Sequence, residues 1–82
     1  MDAETVRARI RTMLDTGELP CDDPGKVWAG NGLGRRCSAC LEPIGPSDVE
    51  FEVELASGLT LTLHRQCHVI WLDECEPPAA AR

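Results

Sequence analysis

Apolar positions follow regular patterns in three stretches of the chain. Val6, Ile10, Met13 and Leu14 recur at the i, i+4, i+7 and i+8 spacing of one helix face. Asp2 can cap the start of that run and Gly17 can end it, so a helix is predicted over residues 2–16. Val49, Phe51, Val53 and Leu55 alternate with Glu50, Glu52 and Glu54, and after Ala56-Ser57-Gly58 the alternation resumes as Leu59, Leu61 and Leu63 against Thr60 and Thr62. A period of two on both sides of a short loop that ends in glycine predicts a β-hairpin. Pairing Leu55 with Leu59 puts Val53 opposite Leu61 and Phe51 opposite Leu63 on the core side, with Glu52 facing Thr62 and Glu54 facing Thr60. The glutamates are then expected to form a solvated face that discourages edge pairing. From Gln66 to about Cys75 the chain reads as a helix ended by Pro77 and Pro78. Val69, Ile70, Trp71 and Leu72 make it apolar nearly all round, so much of it should be covered by the hairpin, the preceding arm or a partner.

Between Glu18 and Arg36 periodicity disappears. Pro20, Pro24, Gly25, Gly30, Gly32 and Gly34 punctuate the stretch, which predicts an irregular connection. It is long for a loop, and the expectation is an ordered arm pinned by burial of Val27 and Trp28. Gly30-Asn31-Gly32-Leu33-Gly34 superficially suggests a phosphate cradle, but it lacks a Gly-Lys-Ser/Thr ending and leads into cysteines instead of a helix.

Core-filling side chains are scarce, since Trp28, Trp71 and Phe51 are the aromatic residues of an 82-residue chain without tyrosine. A domain this small commonly needs a metal or disulfide staple. Cys37-Ser38-Ala39-Cys40 and His64-Arg65-Gln66-Cys67 supply soft thiolates and an imidazole as two short-spaced pairs, the donor set of a structural Zn²⁺. His68 competes with His64, but it directly follows Cys67, and the i, i+3 pair His64 and Cys67 projects to one side more comfortably. Cys75 lies about 12 Å along a straight helix from Cys67, too far to share the ion, and is read as a packing residue on the stripe of Trp71. Cys21 is read as a free thiol, with replacement of a metal ligand or pairing to Cys75 under oxidation as the alternatives.

The order of cysteine knuckle, hairpin, then helix carrying the second ligand pair resembles a treble-clef zinc finger. More narrowly, Cys37-x-x-Cys40-x-x-Pro43-Ile44 followed by His64-x-x-Cys67 is similar to the first zinc module of a LIM domain, without the second C-x-x-C module that follows in that family. The tryptophan and spaced glycines upstream are also similar to small bacterial zinc-finger proteins of unassigned activity. The resemblance implies an α+β fold: a small treble-clef-like zinc-binding domain with an N-terminal amphipathic helix. The expected organisation is a helix in 1–17, a Gly/Pro-rich arm in 18–36, the zinc-binding knuckle, hairpin and helix in 37–76, and a tail in 77–82.

A formal charge of −6 opposes binding to phosphate backbones on average. Arg7 and Arg11 form a basic stripe on the first helix, with Arg9 to one side, and are read as a solvated face. With Arg35, Arg36 and Arg65 they are also the set an alternative nucleic-acid-binding regulator would use. The start of the chain has no apolar run that would read as a secretory signal or membrane span, so no membrane partner and a reducing cytoplasm are expected. Four protein ligands would close the zinc shell, and neither H-E-x-x-H nor a deaminase pattern is present, so no catalytic residues are assigned and no enzyme activity is expected. The reading is a zinc-stabilised interaction module with a protein partner. The alternatives are the nucleic-acid regulator and a thiol- or zinc-responsive switch.

Overall fold

The computed structural model describes residues 2–22 and 24–75. Helix α1 spans Ala3–Thr16. The Asp2 carboxylate accepts from the Thr5 N–H at 2.9 Å, and Gly17 closes the other end with its N–H on the Leu14 carbonyl. Val6 and Ile10 are buried, with Met13 and Leu14 packed beside them. The opposite face is largely exposed, as expected from the sequence, but two of its arginines are also paired. Arg7 donates to Asp73 at 2.7 Å and also to Glu74, while Arg11 donates to Glu74 at 2.7 Å. These ion pairs clamp α1 onto helix α2, Arg65–Cys75.

Strand β1, Pro24–Asn31, corrects the irregular arm. It pairs antiparallel with β2, Val49–Leu55, which pairs antiparallel with β3, Thr60–His64, in the order β1-β2-β3. The hairpin register is as read: Phe51 faces Leu63, Glu52 faces Thr62, Val53 faces Leu61 and Glu54 faces Thr60. Gly58 takes a φ of 94° and returns its N–H to Leu55. Leu59 departs from the expected core pattern and is half exposed, because it lies in the turn outside β3.

Having β1 alongside makes β2 the central strand, so its glutamates do not guard an edge. Glu50 is buried, and Arg35 donates to it and, at 3.0 Å, to Glu52. β1 is an outer strand, and Val27 and Trp28 are 45% and 48% exposed. The arm is ordered by backbone pairing and by the buried Leu19, not by those two side chains. At its exit Gly32 crosses the 44–45 backbone so closely that a Cβ there would lie 2.1 Å from the Gly45 carbonyl oxygen.

One core joins α1, the arm, the cysteine knuckle, the hairpin and α2. Trp71 is fully buried in it, and its indole N–H donates to the Pro20 carbonyl at 2.9 Å. Cys21 and Cys75 form a disulfide, which corrects the reading of one as a free thiol and the other as a packing residue. Packing of α1 on α2 brings these distant positions to a Cα separation of 5.3 Å, within disulfide range. Helix α2 buries Cys67, Ile70 and Trp71 but leaves Val69 and Leu72 exposed, so its surface is less covered than expected. The predicted tail, 77–82, lies outside the described residues. Among those described, no helix is long and apolar enough to cross a membrane.

Candidate metal centre

Cys37 to Cys40 form a tight turn whose ends are tied by backbone hydrogen bonds. The Leu41 N–H donates to the Cys37 carbonyl at 3.0 Å, and the Cys37 N–H donates to the Glu42 carbonyl at 2.9 Å. Leu41 completes the turn at φ 66°, in the left-handed region. The Ala39 N–H points at the Cys37 sulfur, 3.4 Å away. The knuckle is clipped to β3 at Thr62: the Ser38 N–H donates to the Thr62 carbonyl, and the Thr62 N–H donates to the Ser38 hydroxyl at 3.1 Å.

That attachment sets the knuckle two residues from His64. His64 is the last residue of β3, and Cys67 stands in the first turn of α2. The strand-to-helix junction therefore carries one ligand pair and the knuckle the other. One donor atom from each of Cys37, Cys40, His64 and Cys67 lies within 4.8 Å of all the others. The ring nitrogen Nδ1 of His64 faces the Cys40 sulfur at 3.3 Å. All three cysteines are buried, Cys37 completely.

The electrostatics of this cluster ask for a cation. The Cys67 thiol donates to Cys37, which holds the Cys37 thiol down to about 4 and pushes Cys67 up. Burial raises Cys40. Without a positive ion the buried sulfurs can share only limited negative charge, whereas a divalent ion would support all three as thiolates. Three soft sulfurs and one imidazole fit such an ion by donor chemistry as well as by proximity.

His68 takes no part in the cluster. It stacks on Phe51 with ring centroids 4.6 Å apart, its Nε2 is buried without a hydrogen-bond partner among the described residues, and burial lowers its pKa. It is a packing residue and not the rival ligand to His64. Cys75 is held away in its disulfide. Sequence reasoning missed Ser38, Glu42 and Asp48. Ser38 supports the knuckle, and both carboxylates line a cavity beside the ligands. Nothing in the local pattern distinguishes them from ordinary polar loop residues.

Several of the arginines singled out in the sequence are engaged within the fold. Arg7 and Arg11 are paired on α2, Arg35 is paired on β2, and Arg36 donates to the Leu41 carbonyl. The chain matches no protein-family model, no curated protein and no solved structure.

Proposed function

We propose that this chain is a zinc-stabilised, non-catalytic interaction module that binds another protein. The observation that carries the reading is the meeting of Cys37, Cys40, His64 and Cys67 as one set of four donors. Sulfur-rich, four-ligand sets are the chemistry of structural zinc, whereas hydrolytic zinc usually keeps three protein ligands and an open position. The knuckle followed by a hairpin and a ligand-bearing helix supports a treble-clef-like assignment.

A protein partner is favoured by the surface left over once the core is formed. Strand β1 has a free edge with Val27 and Trp28 exposed, and α2 presents Val69 and Leu72. Unprotected strand edges and exposed aromatic side chains are common recognition elements. The nucleic-acid alternative loses support because Arg7, Arg11 and Arg35 are engaged with carboxylates. The switch alternative rested on two surplus thiols, and these are paired with each other.

Photo-crosslinking residues placed at Trp28 or Val69 of the full chain, expressed in its source cells, test this reading. A discrete protein adduct at either position, absent from a control at Asp15, is expected. Adducts that disappear on nuclease treatment, or no adduct at either position, would contradict it.

A further inference from the structure

The ligand cluster is sealed on one side and open on the other. Cys37 is fully buried, as are Ala39, Ile44 and Leu63. Cys40, His64 and Cys67 instead line a cavity of about 250 Å³. Glu42 and Asp48 line it too, and both are solvent-exposed residues; one carboxylate oxygen of Asp48 also accepts from the Gly45 N–H at 3.2 Å. Arg65 is the cation among the lining residues, so the two carboxylates leave the lining net negative. A water molecule's share of liquid volume is about 30 Å³, so a divalent ion with about six waters needs roughly 180 Å³ and fits this space.

We propose that this cavity is the route by which a hydrated divalent cation reaches and leaves the metal centre, with Glu42 and Asp48 as the capture groups. The inference rests on the reading of the four residues as a zinc site and specifies how that site exchanges. An incoming cation is drawn in by the carboxylates and meets Cys40, His64 and Cys67, while Cys37 is reached last. Carboxylates lining a cavity raise the local concentration of cations, and salt weakens the effect. Exchange then proceeds in the folded protein, with no need to open the core around Cys37.

The test uses full-length protein with the disulfide intact, loaded with Co²⁺ so that sulfur-to-metal absorption reports occupancy. Excess Zn²⁺ is added and loss of that absorption is timed. The expected rate rises with Zn²⁺ concentration. It falls about five-fold or more in the double variant Glu42→Gln/Asp48→Asn at low ionic strength, and the deficit shrinks in high salt. Val49→Phe, which fills the cavity from its lining, also slows exchange. Glu4→Gln/Asp15→Asn, on α1, leaves the rate unchanged. Circular dichroism and the Co²⁺ spectrum establish that each variant is folded and loaded. A rate independent of Zn²⁺ concentration and equal in all variants would overturn the route while leaving the metal site standing. Absence of any sulfur-to-Co²⁺ absorption in the parent protein would overturn the metal reading and the route with it.

Discussion

Ser38 and Thr62 hold each other by both ends. The Ser38 N–H donates to the Thr62 carbonyl, and the Ser38 hydroxyl accepts from the Thr62 N–H at 3.1 Å. Because Ser38 lies between Cys37 and Cys40, and Thr62 lies two residues before His64, this clip sets the distance between the two ligand pairs. Ser38→Ala keeps one of the two bonds and leaves a partly buried N–H without its hydroxyl partner. Such a loss costs about 1–3 kcal/mol, and loss of a group that orients metal ligands costs about 10- to 100-fold in affinity. Competition with a chromogenic chelator should show this weakening for Ser38→Ala and near-parental affinity for Ser38→Thr. Equal affinity in all three would remove the clip from the account of the site.

The disulfide between Cys21 and Cys75 spans 54 residues and ties the arm to the end of α2. In a chain-entropy description a loop of that length is worth about 4 kcal/mol against the unfolded state. Denatured without reductant and with a chelator present, the native protein should titrate as three thiols, rising to five after reduction. The double variant Cys21→Ser/Cys75→Ser should lose up to about 4 kcal/mol in denaturant titration while keeping its metal. Five thiols before reduction would show the pair to be open.

Leu41 is the non-glycine residue with positive φ among the described residues, at 66°. Left-handed backbone costs an ordinary L-residue roughly 1–2 kcal/mol, and glycine avoids most of that cost. Leu41→Gly should therefore be more stable than Leu41→Ala by about 1 kcal/mol, the reverse of the usual order at regular positions. Thermal unfolding of the two metal-loaded variants decides this, and an alanine variant at least as stable would contradict it.

Glu74 accepts from Arg11 and Arg7, and these bonds hold its carboxyl below the usual carboxylate range. A depressed folded-state pKa stabilises the protein above the unfolded value of about 4.3, and that contribution is lost as pH falls through the folded-state value. The stability difference between the parent protein and Glu74→Gln should be constant from pH 7 to about 5 and shrink under more acidic conditions. It should also be smaller in high salt, because the arginines are partly exposed. A difference that grows on acidification would reverse the sign argued here.

Where one face of an element is buried and the other is wet, the elements were legible from sequence. The alternation over Val49–Leu55 and Leu59–Leu63 led to the observed hairpin register, and Asp2 and Gly17 marked the ends of α1. Strand β1 carries no such contrast. It is an outer strand with Val27, Trp28 and Ala29 all exposed, so burial imposes no period of two, and its glycines and prolines resemble those of a loop. The four candidate metal ligands were legible because their short spacings are set by local geometry. The Cys21–Cys75 bond was legible only as an alternative to a free thiol, because the approach of the two residues depends on how α1 and α2 pack. Glu50 likewise looked identical to Glu52 and Glu54 until Arg35 folded over it.

The central claim is that Cys37, Cys40, His64 and Cys67 together hold one zinc ion that the fold requires. Native mass spectrometry of the purified full-length chain measures this directly. One zinc per chain is expected, with a compact charge-state distribution that becomes extended when a chelator removes the metal at neutral pH. A compact, metal-free chain that stays compact in chelator, with the same distribution after Cys37→Ser, would contradict it.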